Sequence, residues 1–206
     1  MIIFISGTGT GIGKTFINIK INQALIKKGY KICSLKPIET GVIKQPQDAI
    51  LHKKNQSNKL KLDDICFYTF STPSSPFVAD INNIIDINLL KQKVKSLEKQ
   101  YDIVLIEGAG GLFVPIKKNY FFIDLIKELE SICFLICSDK LGCINEILVH
   151  REALKNRNIK FISIINLFNE SSFLEISYPF LKDLDNNFIF QMQEKELLDY
   201  ILLLKN

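Results

Sequence analysis

Six short apolar runs punctuate the chain: Ile2–Ser6, Lys31–Leu35, Ile103–Ile106, Ile132–Cys137, Phe161–Ile165 and Phe188–Phe190. Each is rich in Ile, Val, Phe or Cys and shows no regular polar alternation. That is the form of parallel strands buried on both faces. Between most of the runs, apolar positions recur at helical spacing. Residues Gly13–Lys28 place Ile17, Ile21, Ala24 and Leu25 on one side, with Gly29 as a stop. Further helices are expected over Ile87–Lys99, Tyr120–Glu130, Leu141–Asn156, Ser171–Leu181 and Gln193–Leu204. The polar stretch Lys53–Lys61 reads as a surface loop. Strand and helix alternate throughout, which predicts an α/β fold with a single doubly wound, mainly parallel sheet flanked by helices. Ligands of such sheets bind beyond the carboxyl ends of the strands. The residues that follow each apolar run are therefore the ones to read for chemistry.

Composition narrows the class. The chain has 206 residues, 47% apolar and 23% charged, and the reading is one globular domain over 1–206. No apolar run approaches the ~20 residues that a membrane helix needs. The start, Met1 to Ile5, passes directly into a glycine loop and lacks the form of a signal peptide. A net charge of +4, carried by scattered lysines with arginine only at 151 and 157, lacks the clustered basic patch of a nucleic-acid binder. The five cysteines form no Cys-x-x-Cys pair. They read as reduced core thiols of a cytoplasmic protein.

The first apolar run is followed by Gly7-Thr8-Gly9-Thr10-Gly11-Ile12-Gly13-Lys14-Thr15 and then a helix. Glycines let backbone N–H groups wrap a phosphate, and the helix N-terminus adds partial positive charge. In such a loop Lys14 reaches the β- and γ-phosphates and the Thr15 hydroxyl meets Mg²⁺. The usual template has glycine where Thr8 stands, but the Gly13-Lys14-Thr15 end is intact. A dinucleotide fingerprint fails at Ile12 when counted from Gly7, and at Lys14 when counted from Gly9. The second run ends in Lys36-Pro37, which puts a second lysine at the same rim. The third ends in Glu107-Gly108-Ala109-Gly110-Gly111, an acid at a strand tip where phosphate-loop proteins hold Mg²⁺ or its waters. Asn166 closes a later run at a position that often touches the base, or serves simply as a turn. His52 and His150 lie among charged residues on helical stretches and read as surface positions without a catalytic role.

Taken in order, these residues resemble the ATP-dependent dethiobiotin synthetase family, a group of P-loop NTPase-like enzymes. The resemblance rests on the phosphate loop together with Lys36-Pro37-x-x-Thr40-Gly41, Asp48-Ala49, Pro73-x-Ser75-Pro76, Glu107 to Gly111, Val114-Pro115 and Leu141-Gly142-Cys143-Ile144-Asn145. It spans about residues 1–166. It implies a ligase of biotin biosynthesis that joins CO₂ (or bicarbonate) to 7,8-diaminononanoate and closes a cyclic urea with ATP and Mg²⁺, acting as a cytoplasmic homodimer. It further implies that Lys14 and Lys36 are catalytic and that Thr15, Asp48 and Glu107 serve the metal. Gly11, Ile12, Gly13, Lys14, Thr15, Phe16, Asp48, Glu107, Gly108, Ala109, Gly110 and Asn166 are then expected at the nucleotide. Thr10, Lys36, Thr40, Gly110, Gly142, Cys143 and Asn145 are expected at the diamine substrate, the last three across a subunit boundary.

Two related classes fit the sequence less well. Partitioning-type P-loop ATPases, which act as switches, carry a signature lysine where this chain has Gly9. The amide-forming cobyrinate synthases need an appended glutaminase domain, for which 206 residues leave no room. A third alternative, a non-catalytic nucleotide-binding module, sits poorly with intact Lys14, Thr15, Lys36 and Glu107.

Overall fold

A computed structural model describes residues 1–184, 188–190 and 194–205. In chain order the elements are β1 (Ile2–Gly7), α1 (Lys14–Lys27), β2 (Ile32–Leu35), β3 (Ile38–Thr40), α2 (Gln47–Lys54), α3 (Leu62–Ile65) and β4 (Tyr68–Phe70). Next come α4 (Pro76–Ala79), α5 (Ile87–Glu98), β5 (Ile103–Gly111), β6 (Pro115–Lys117), β7 (Tyr120–Phe121), α6 (Phe122–Glu128) and β8 (Ile132–Ser138). The chain continues through α7 (Cys143–Asn156), β9 (Phe161–Asn166), α8 (Glu170–Ile176), α9 (Tyr178–Leu184), β10 (Phe188–Phe190) and α10 (Glu194–Lys205).

The six apolar runs form one sheet in the order β10-β9-β8-β1-β5-β2, and every neighbouring pair is parallel. Alternation along β1 sends Ile3 and Ile5 toward the layer containing α1 and α10. Ile2 and Phe4 face the opposite layer, with α5, α6 and α7. Both faces are thus dry, which is why the strands read as unbroken apolar runs. The crossover from β5 to β8 passes over β1, so the sheet changes winding direction beside β1. The carboxyl end of β1 is where a ligand crevice belongs.

Several boundaries differ from expectation for visible reasons. β5 runs past Ile106 to Gly111, because small residues there keep pairing with the end of β1. The helix expected from Tyr120 starts at Phe122, since β7 pairs with β6 first. The helix expected over Ser171–Leu181 breaks into α8 and α9. Pro179 has no N–H to continue a ladder but suits a first turn, so the run restarts just ahead of it. The helix expected from Leu141 begins at Cys143, after Gly142 at φ +90°. Gln193, the first residue of the last expected helix, lies outside the described residues, and α10 spans Glu194–Lys205.

The stretch expected as a surface loop, Lys53–Lys61, begins as the last two residues of α2 and continues as a surface loop that also covers the open edge of β2. Gln56 accepts from the Ser34 amide at 2.8 Å and Asn58 donates to the Ile32 carbonyl at 2.9 Å. An uncovered strand edge carries unpaired backbone groups, and these amides satisfy them. All five cysteines are buried and free. Among the described residues no helix is long and apolar enough to cross a membrane.

Candidate active site

The register of the sheet assembles the site. Leu35 on β2 lies opposite Ile106 on β5, and Ile5 on β1 lies opposite Glu107. The residue after Leu35 is therefore brought to Glu107, and the residues after β1 arch over both. α1 starts after Gly13 at φ +94° and no side chain caps it. Its first N–H groups are left to face the crevice, as an anion-binding helix start requires. A Cβ at Gly13 would lie 2.2 Å from Asn166 Nδ2. Both the backbone angle and the crowding therefore demand glycine there.

Beneath the loop the charges interlock. Lys36 Nζ lies 2.6 Å from Glu107 Oε1 and 2.9 Å from Asp48 Oδ2, and it also donates to the Gly108 carbonyl at 3.1 Å. The Thr15 hydroxyl is 2.9 Å from Glu107 Oε1 and 3.3 Å from Asp48 Oδ1. Lys14 Nζ donates to the Gly9 carbonyl at 2.7 Å. Burial pushes the Lys36 ammonium toward neutrality, but the two carboxylates and their hydrogen bonds outweigh it, and its pKa rises. Burial likewise opposes ionisation of Glu107, yet Lys36 and the hydrogen bond from His52 bring its pKa down to about 2. Lys14 is lowered to about 8 by burial first and by the Lys36 charge second, against the pull of Glu107 and Asp48. The buried cluster thus holds Lys36 charged and Glu107 ionised, and leaves Lys14 able to lose its proton near neutral pH.

A cleft of about 1250 Å³ opens above these groups. Of the expected site residues, Thr10, Gly11, Gly13, Lys14, Thr15 and Phe16 line it from the loop and α1. Lys36, Thr40, Asp48, Glu107, Ala109 and Gly110 line it from the other side. Thr10 and Gly110 are neighbours, since a Cβ at Gly110 would lie 3.6 Å from Thr10 Oγ1. Ile12 is buried under the loop, and Gly108 takes part through its carbonyl. Asn166 is nearly buried and donates Nδ2 to the Ile12 carbonyl at 2.9 Å, so it braces the loop. Gly142, Cys143 and Asn145 sit at the start of α7, outside the cleft lining. Gly142 and Asn145 are exposed there. Cys143, unlike its two neighbours, is buried. Its thiol is buried 3.6 Å from Ser177 Oγ and its amide donates to the Lys140 carbonyl, because Cys143 is the inward-facing first residue of the helix.

Two histidines are placed differently from the surface positions expected. His52 is wholly buried, 2.8 Å from Glu107 Oε2 and 3.0 Å from Ser34 Oγ. Its charged neighbours Lys53 and Lys54 point outward, while His52 shares the inner face of α2 with Ala49. The apolar-polar pattern of α2 concealed this, because a histidine between lysines looks solvated. His150 is half-buried on α7 and lines the cleft, with Nδ1 bonded to the Glu146 carbonyl. Glu39 is a further residue missed from sequence. Its carboxyl accepts from the amides of Asp48 and Ala49 at 3.1 and 3.0 Å, fixing the start of α2 at the cleft edge. Three metal-type side chains of the His, Cys, Asp or Glu kind do not cluster anywhere among the described residues. Around Lys36 and Thr15 the oxygen donors brought together are the Thr15 hydroxyl and the Asp48 and Glu107 carboxylates.

Comparison with known proteins agrees with this arrangement. Residues 2–197 match a family model described as an AAA domain. The ATP-dependent dethiobiotin synthetase BioD of Sulfurovum sp. (strain NBC37-1) is 45% identical over 185 residues, 86% of this chain and 88% of that protein. The protein of the same name from Wolinella succinogenes is 42% identical over 190 residues, covering 88% of each chain. That from Helicobacter pylori (strain J99) is 37% identical over 220 residues, 97% of this chain and 99% of its own. Among solved structures, a plasmid partition protein from Borrelia burgdorferi superposes with a TM-score of 0.62 at 12% identity, over 98% of this chain and 97% of its own. MinD in the MinC:MinD cell division complex of Aquifex aeolicus gives 0.59 at 18% identity, over 91% and 78%. At such identities the structures establish the fold alone, a parallel sheet flanked by helices. Likeness to the synthetases at 37 to 45% identity over most of both chains places this chain in the ATP-dependent dethiobiotin synthetase family.

Proposed function

We propose that this chain carries out the synthetase reaction itself, joining CO₂ to 7,8-diaminononanoate and closing a cyclic urea at the expense of ATP. The observation that carries the reading is the convergence of Lys14, Lys36, Thr15, Asp48 and Glu107 under a single phosphate-type loop. One amine of the diamine adds to CO₂, forming a C–N bond and releasing a proton to give a carbamate. A carbamate oxygen attacks the γ-phosphorus and the bond to ADP breaks. The second amine then attacks the carbamoyl carbon, phosphate leaves, and the ring closes. Positioning and stabilisation of negative charge are the protein's share of this chemistry.

Lys36 stays cationic across the working range and is suited to carbamate and transferring phosphoryl oxygens. Lys14 exchanges the Gly9 carbonyl for phosphate oxygens. The amides of Gly11, Ile12, Gly13, Lys14, Thr15 and Phe16 address the phosphates, and Asn166 keeps the loop in shape. Thr10, Thr40 and Gly110 border the diamine, and Gly108 and Ala109 form the floor beside Glu107. The hard oxygens of Thr15, Asp48 and Glu107 suit Mg²⁺ and would hold it directly or through water. Bound there, Mg²⁺ would neutralise charge on the phosphates. Gly142 and Asn145 lie exposed away from this cleft, which supports their serving the substrate carboxylate of a partner subunit in a cytoplasmic homodimer.

Purified protein mixed with the diamine, bicarbonate, Mg²⁺ and ATP is expected to yield dethiobiotin. Absence of product, with ATP hydrolysis indifferent to the diamine, overturns the reading. Lys36→Gln is expected to lower turnover about 10²- to 10³-fold while leaving the fold intact; activity within a few-fold of the parent removes Lys36 from the mechanism.

A further inference from the structure

Three fully buried polar side chains lie behind the site. Asn18 comes from α1, Ser34 from β2 and His52 from α2. They form a single row: Asn18 Oδ1 is 2.7 Å from Ser34 Oγ, Ser34 Oγ is 3.0 Å from His52 Nδ1, and His52 Nε2 is 2.8 Å from Glu107 Oε2. Aliphatic residues would fill these positions without any need for partners. Three separate elements instead supply a chain of polar groups that ends on one oxygen of the site carboxylate.

We propose that His52 is a positioning residue that pins Glu107 through Oε2, so that Oε1 alone faces the cation and nucleotide, with Ser34 and Asn18 holding the imidazole in the required tautomer. The proposal rests on the reading of Asp48 and Glu107 as cation carriers. Among the described residues His52 is the partner of Oε2, whereas Oε1 meets Lys36 and Thr15. A carboxylate held at its inner oxygen cannot rotate to present both. His52 also lies one helical turn beyond Asp48 on α2. The bond to Glu107 therefore ties the helix that carries one carboxylate to the strand that carries the other, and fixes their spacing.

The proton count supports the tautomer. Glu107 as a carboxylate accepts only, so Nε2 must carry hydrogen. In a neutral ring Nδ1 then accepts, so the single Ser34 proton goes to Nδ1 and not to Asn18. With the amide turned, Nδ2 donates to Ser34, Ser34 donates to Nδ1, and Nε2–H donates to Glu107, one proton for each link. The row then points every hydrogen toward the carboxylate.

The test compares two amides of different reach. The side-chain nitrogen of glutamine replaces Nε2 and can meet Glu107; asparagine ends near Nδ1 and cannot. Affinity for N-methylanthraniloyl-ADP is measured with Mg²⁺ and with chelator. For His52→Asn the Mg²⁺-dependent gain is expected to fall roughly tenfold or more, as for other lost partners of metal-site ligands, with metal-free affinity within about twofold of the parent. For His52→Gln the gain is expected to stay within roughly threefold of the parent. Equal behaviour of the two variants, or a matching loss of metal-free affinity in His52→Asn, overturns the proposal. Should His52→Asn fail to fold, Ser34→Ala decides, since it frees the ring; an unchanged Mg²⁺ gain in it overturns the proposal. Nitrogen-15 NMR of the parent is expected to show hydrogen on Nε2 of His52, and hydrogen on Nδ1 alone overturns it. A parent with no Mg²⁺ gain overturns the cation reading and the proposal with it, whereas a parental gain untouched in His52→Asn overturns the proposal alone.

Discussion

Lys14 behaves unlike a phosphate-loop lysine free in water. Buried beside Lys36, its ammonium has a pKa of about 8, and its one hydrogen bond to protein runs to the Gly9 carbonyl. A nucleotide's phosphates favour the charged form, so binding should draw a proton onto Lys14 wherever the free side chain is partly neutral. At pH 8 the expected uptake is about half a proton per site, with affinity falling up to about tenfold per pH unit above it. Calorimetry in two buffers of different ionisation heat measures the uptake; zero uptake at pH 8 would show that Lys14 is already fully charged. Lys14, Thr15, Lys36 and Glu107 were legible in the sequence because each stands in a short local motif within or following an apolar run. His52 was not. Its partners Ser34 and Glu107 are 18 and 55 residues away, and nothing in the local pattern marks a histidine among lysines as buried.

Among the elements, α2 decides the most and was the hardest to foresee. Pro46 caps it without a side-chain bond, and the Glu39 carboxyl takes the amides of Asp48 and Ala49. Those amides would otherwise be orphan donors of the first turn. Glu39→Ala should cost about 1–2 kcal/mol, the worth of a helix cap. It should also speed amide exchange through α2, loosening Asp48 more than Glu107. Urea unfolding with hydrogen exchange measures both, and unchanged exchange in α2 would deny Glu39 this role. The six sheet strands could be read from sequence because burial on both faces leaves them predominantly apolar. The short pairs β3-β4 and β6-β7 could not, since two or three residues show no period. Their placement depends on what they pack against.

For the molecule as a whole, the buried lysine-carboxylate cluster couples stability to acid. Glu107 is held at about 2 against an ordinary 4.5. Between those values the unfolded chain binds a proton that the folded chain refuses. Stability supplied by Glu107 is therefore complete above about pH 4.5 and lost as pH falls toward 2, on the order of 3 kcal/mol. Urea midpoints followed from pH 6 to pH 3 should fall accordingly, and Glu107→Gln should flatten the slope. A parent slope equal to that of Glu107→Gln would show that the cluster carries no such linkage.

The Asn166 brace has a consequence in time as well as space. The glycine motif is complete once fifteen residues have been made, yet its Ile12 carbonyl is gripped by a side chain 154 positions later. The central strand β1 likewise pairs only with β5 and β8, both far along the chain. Long closures form late, because their entropy must be met before the contact rewards it. On the ribosome, the braced loop therefore waits for Asn166 to be made, and a nascent chain that stops short of Asn166 carries the motif without its hold.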